Sequence, residues 1–139
     1  MHSPAGTLDE TMIRIDRIDH VVLTCRSIEA TCDFYRRVLG MEVVTFAGGR
    51  TALAFGRQKF NLHQAGREFE PKADRPTPGS ADFCLITDTP MAEILAHLAR
   101  EGVPVIEGPT EKTGAVGRLQ SVYFRDPDAN LVEVSNYLD

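Results

Sequence analysis

The chain repeats itself, and this repetition limits the folds open to it more than any other feature. Gly40 and Gly102, each placed just after a helix-like stretch, stand 62 residues apart. The same spacing lays His20 on Asp82, and a slip of one residue lays it on Phe83. Phe55 and Phe124 stand 69 residues apart, and His63 and Glu133 stand 70 apart, with a longer loop of the second half taking up the difference.

The local patterns explain what is being repeated. The stretch 18–25 is short and β-branched, which predicts a strand. Ser27 suits an N-cap, and Ala30, Phe34, Val38 and Leu39 recur at helical spacing up to Gly40. Strands are expected over 41–46, 51–55 and 58–64. Residues 65–80 hold Pro71, Pro76 and Pro78 and read as a linker. A strand over 81–87 follows, then a helix opened by Pro90 and closed by Gly102. A strand over 103–107, a loop from Gly108 to Gly117, and strands over 119–124 and 131–136 complete the second half. The fold class is α+β, with two tandem βαβββ modules forming a cupped mixed sheet. Module one spans 16–64 and module two 81–138, in one domain after an arm over 1–15. A small sheet cannot bury both of its faces alone, so the modules must share an interior.

Charge and composition exclude several roles. Fifteen Lys and Arg stand against 20 Asp and Glu, a net charge of −5, which argues against a nucleic-acid partner. No apolar run is long enough to cross a membrane as a helix, and the first residues lack a secretory pattern. Cys25, Cys32 and Cys84 are odd in number and form no CxxC, as expected of buried thiols in a cytoplasmic protein.

Three strand residues suggest a metal site. His20, His63 and Glu133 each lie among apolar neighbours, where a carboxylate is costly unless it is paired or bound to an ion. Two imidazoles and a carboxylate would leave coordination positions open to substrate. Asn61, a candidate to bind substrate, shares a strand face with His63, and Ser135 shares one with Glu133. Lys112 and Arg118, in the Gly-rich loop, are candidates to meet an anionic substrate group, and Phe83 a candidate to shape the cup. Each has a plainer reading, as surface charge or core.

The opening Ile18-Asp19-His20-Val21-Val22-Leu23, the stretch from Phe34 to Met41, and the ending from Phe124 to Val134 resemble the vicinal oxygen chelate (glyoxalase/bleomycin-resistance/dioxygenase) superfamily. The likeness covers about residues 16–138. It implies a divalent metal ion (Zn, Ni, Mn, Fe or Mg) held by His20, His63 and Glu133, with Glu133 also the catalytic residue. The fourth slot falls on Asp82 or Phe83 and lacks the usual His. It further implies a small-molecule substrate and a homodimer. The activity expected is that of a lyase or isomerase on a small oxo or hydroxy compound. An Fe(II) or Mn(II) ring-cleaving dioxygenase and a binding or resistance protein without turnover stand as alternatives.

Overall fold

The computed structural model describes residues 12–139. Most of the expected arm, residues 1–11, lies outside the described residues. Module one runs β1 (His20–Cys25), α1 (Ile28–Leu39), β2 (Glu42–Phe46), β3 (Arg50–Phe55) and β4 (Gln58–Gln64). Module two runs β5 (Asp82–Ile86), α2 (Met91–Arg100), β6 (Glu107–Thr113), β7 (Arg118–Arg125) and β8 (Leu131–Tyr137). Each module folds into a four-stranded mixed sheet, in the orders β1-β4-β3-β2 and β5-β8-β7-β6. The two modules are therefore topological copies, as the repeat requires.

The caps of α1 follow from the sequence. The Ser27 hydroxyl accepts from the Ala30 N–H, and Gly40 closes the helix at φ 67°, a conformation that costs a side chain dearly. One segment differs from expectation. Residues 103–106 are irregular, and the strand begins at Glu107 and runs to Thr113, through the first part of the stretch read as a loop. Gly108 and Pro109 suggest a break, but pairing with β7 extends the strand through these two, with a register shift between Glu107 and Thr110, and residues 114–117 form the turn into β7.

One face of each sheet packs into a common core. Leu23, Leu53, Phe60 and Leu62 of module one share it with Val122, Phe124, Val132 and Val134 of module two, and both helices insert their apolar faces. Aromatic contacts join the modules, with Phe60 and Phe83 centroids 4.9 Å apart and Phe34 and Phe124 6.2 Å apart.

A buried polar knot adds a second tie. Between β7 and β8, Asp126 is 4% exposed and accepts from the Tyr35 hydroxyl of α1 at 2.7 Å. It also accepts from Asn130 Nδ2 at 2.8 Å and from the backbone N–H groups of Asp128 and Asn130, both at 2.9 Å. Asp128 in turn accepts from the Arg26 N–H at 3.0 Å. Burying a carboxylate is tolerable because its oxygens are filled with donors. Since opposite faces alternate along a strand, the sheet faces not used for the core both turn away from it.

Candidate functional site

Strand register decides which side chains meet on those open faces. In module one, β1 and β4 run parallel with His20 opposite Lys59, Val22 opposite Asn61 and Thr24 opposite His63. In module two, β5 and β8 run parallel with Asp82 opposite Leu131, Cys84 opposite Glu133 and Ile86 opposite Ser135. The equivalent pairs are His20 with Asp82, Asn61 with Glu133, and His63 with Ser135. The spacing that aligned His63 with Glu133 is thereby corrected. A two-residue turn links β3 to β4, while residues 126–130 link β7 to β8, and the longer link shifts the match.

Module one thus offers His20 and, one step further along the same face, Asn61. His20 is exposed, and its Nδ1 lies 2.8 Å from Asp19 Oδ1. With Nδ1 donating there, Nε2 is left as the open nitrogen, the arrangement that commonly orients a metal-binding imidazole. Asn61 Oδ1 is buried without a hydrogen-bond partner among the described residues. An unsatisfied buried oxygen is costly, and a ligand or ion above it would remove that cost. His63 lies four residues along from the level of His20, roughly 13 Å at strand rise. Its ring packs edge-on against Phe69 of the linker, centroids 5.5 Å apart. Burial and the nearby Arg50 hold its pKa below the usual imidazole value.

Module two offers oxygen. Glu133 lies between Cys84 and Tyr123 in cross-strand register. Ser135 Oγ is 3.4 Å from Glu133 Oε2, 2.6 Å from Ser121 Oγ and 3.3 Å from Cys84 Sγ. Burial and the Glu133 carboxylate push the Tyr123 phenol up to about 12, so it remains a donor at neutral pH. Cys84 is exposed on this face rather than buried, because the glycine-anchored register holds. The alternation of β5 carries that signal, since Cys84 shares a face with Asp82.

The remaining candidates separate. Phe83 points into the core against Phe60, not into the cup, since its neighbours Asp82 and Cys84 take the open face. Lys112 is on the open face but paired with Glu107 at 2.9 Å. Arg118 alternates onto the other face and pairs with Asp139 at 2.9 Å and Glu111 at 3.5 Å. Among the described residues of one chain, no three His, Cys, Asp or Glu side chains gather as a metal-binding group. His20 and Glu133 stand on different sheets whose open faces both turn from the shared core.

The Glyoxalase/Bleomycin resistance protein/Dioxygenase superfamily model matches residues 17–134. Virulence protein STM3117 of Salmonella typhimurium is 56% identical over 124 residues, covering 89% of this chain and 86% of that protein. Its crystal structure aligns with a TM-score of 0.89 at 55% identity, covering 91% of this chain and 100% of that one. Glyoxalase domain-containing protein RDO1 of Mycosarcoma maydis is 51% identical over 137 residues, 99% of this chain and 77% of that protein. The crystal structure of lactoylglutathione lyase from Agrobacterium tumefaciens aligns with a TM-score of 0.67 at 27% identity, covering 88% of this chain and 94% of that one.

Proposed function

This chain belongs to the Glyoxalase/Bleomycin resistance protein/Dioxygenase superfamily, and on that premise we propose that it is a divalent-metal-dependent lyase or isomerase. Its substrate is a small oxo or hydroxy compound with two neighbouring oxygens. The observation that carries the reading is the partnerless buried Asn61 Oδ1 beside His20, whose Nε2 is open. The equivalent slots of module two hold Asp82 and Glu133. His20, Asn61, Asp82 and Glu133 make one nitrogen and three oxygen donors, a set that fits Zn, Ni, Mn, Fe or Mg. The ladder registers favour Asn61 over His63 for the β4 slot. The two-histidine, one-carboxylate set of an Fe(II) oxygenase is therefore not the arrangement favoured. The likeness to lactoylglutathione lyase supports the lyase reading over a binder without turnover.

The two halves lie on outward faces, so the site is completed by a second copy of the chain. Module one of one copy meets module two of the other, giving a homodimer with two sites. The metal, when bound, supplies Lewis-acid polarisation of the two substrate oxygens. Asp19 orients the His20 ring. Glu133 binds the ion or takes a substrate proton at its carboxylate, and Ser135 and Tyr123 stand beside it to donate hydrogen bonds. The cytoplasm is the location proposed for the chain; among the described residues no helix is long and apolar enough to cross a membrane.

Metal analysis of the purified protein, after chelation and reloading, tests this directly. His20→Ala and Glu133→Ala should each lose most bound metal, while His63→Ala keeps it. Full occupancy in His20→Ala or Glu133→Ala, or loss in His63→Ala, contradicts the assignment. Mixing the His20→Ala and Glu133→Ala proteins should restore binding in part, because each mixed dimer regains one intact site. Failure to restore it in a dimer that exchanges subunits would place the site within one chain. A substrate screen with the native metal then identifies the reaction.

A further inference from the structure

The far end of the module one open face holds a second set of groups that the metal reading leaves unused. Thr24 lies opposite His63 across β1 and β4. One step beyond the Thr51–Leu62 pair, the register brings Arg50 opposite His63 on the other side. Thr24, His63 and Arg50 therefore form one row across three strands. Thr24 is 9% exposed and His63 7% exposed. Neither side chain has a hydrogen-bond partner among the described residues, and both line the inner end of a groove of about 550 Å³ between β1 and the linker, with Arg50 and Phe69 just outside its lining. Lys72 stands on the opposite wall of that groove.

The charges near this row are unequal in availability. Lys72 pairs with Glu70, and Glu68 accepts from the Gly66 N–H at 2.9 Å. Arg50 has no ion-pair partner among the described residues. Its guanidinium sits over the Phe69 ring, 4.3 Å from the centroid. That stacking fixes the head while leaving its N–H donors unspent. Two polar side chains that open on the groove beside one unpaired cation make a site for a single negative charge on a flat group.

We propose that Thr24, His63 and Arg50 bind the carboxylate of a small organic acid, with Phe69 as the apolar cover beside it. Phosphate fits less well, because only one cation in the row is unpaired and a dianion would face Glu68 and Glu70. The assignment rests on the proposed enzyme reading only for its suggestion that the acid belongs to the substrate. The binding row itself does not depend on a metal.

The test uses benzoate and its uncharged isostere benzamide as probes, added to the full chain after metal removal by chelation. Affinity is read by titration and by NMR shifts of the His63 ring. Benzoate should bind at least about tenfold more tightly than benzamide, as a charge-assisted contact predicts. Arg50→Gln should remove that preference, and Arg50→Lys should restore part of it, which separates lost charge from lost folding. His63→Phe, which keeps the ring packing but loses the donor, should also weaken benzoate. His20→Ala and Glu133→Ala should leave benzoate affinity unchanged. Equal binding of the two probes, or a preference that survives in both Arg50→Gln and His63→Phe, overturns the proposal. Loss of benzoate binding only in His20→Ala or Glu133→Ala moves the acid to the metal slots, which overturns the row while leaving the enzyme reading standing.

Discussion

Modules one and two carry the same fold with opposite chemistry on their open faces. Module one presents His20, Lys59, His63 and Arg50, a face rich in nitrogen groups, with the Asn61 oxygen among them and Glu42 at its edge. Module two presents Asp82, Cys84, Glu133, Ser135, Ser121 and Tyr123, a face richer in oxygen, with Lys112 and Arg125 as its cations. Equivalent backbone positions therefore do unequal work, and the difference suits one copy to meet another. The modules also differ in their β3–β4 and β7–β8 turns. The first is a bare two-residue turn at exposed Gly56 and Arg57, and the second is the buried knot around Asp126.

The largest expected effect breaks that second difference. Asp126→Ala leaves the Tyr35 hydroxyl, Asn130 Nδ2 and two backbone N–H groups without their acceptor. The loss should be about 3 kcal/mol or more of unfolding free energy. Arg57→Ala, in the corresponding turn of module one, should change stability by less than about 0.5 kcal/mol. Tyr35→Phe, which removes one of the four donors, should cost about 1–2 kcal/mol. Urea unfolding of the three variants ranks them, and a costly Arg57→Ala would show that the two turns share the load.

How much of this could be read in the sequence follows from the same turns. The modules were legible because Gly40 and Gly102 end equivalent helices and the apolar patterns return with them. The matching of site residues was not, because Asn61 lies six residues beyond Phe55 whereas Glu133 lies nine beyond Phe124. The extra residues are the Asp126 knot, whose folding depends on Tyr35 of the other module. His20 and Glu133 were recognisable as polar residues in apolar strands. Arg50 was not, since nothing local distinguishes an arginine that stacks on a linker phenylalanine from one in a surface ion pair. The same limit hid the exposure of Cys84.

The first-strand cysteines give a smaller contrast. Cys25 is 1% exposed on the core face, and burial pushes its thiol up to about 11. Its ordinary value of about 8.5 returns on unfolding. The folded form then holds a proton that the unfolded chain releases. Its contribution to stability is therefore complete below about pH 8.5 and is lost as pH rises toward 11. Tyr35, also pushed up by burial and by Asp126, adds to the loss at higher pH. Cys25→Val should flatten the decline at its lower end, measured by unfolding across that range. Cys84 should react first with a thiol reagent in the native protein. Cys25 should react only through opening of the fold, so equal native labelling of both would contradict the assigned faces.

The smallest effect tests whether available charge, rather than charge as such, separates the two faces. Arg118 of module two and Arg50 of module one are both strand arginines. Arg118 is held by Asp139 and Glu111 and is more than half exposed, where such pairs contribute about 0–1 kcal/mol. Arg118→Ala should thus lower stability by no more than about 0.5 kcal/mol and leave benzoate affinity unaltered. Its modest effect should shrink further in high salt, because water and ions already screen an exposed pair. Arg50→Gln should show the opposite division, with little change in unfolding and a clear loss of benzoate. If Arg118→Ala instead removed benzoate binding, the anion would belong to the Gly-rich strand of module two, as the sequence alone suggested. Paired titration and unfolding of the two variants decides between these, since a cation already committed to carboxylates has little left to offer a ligand.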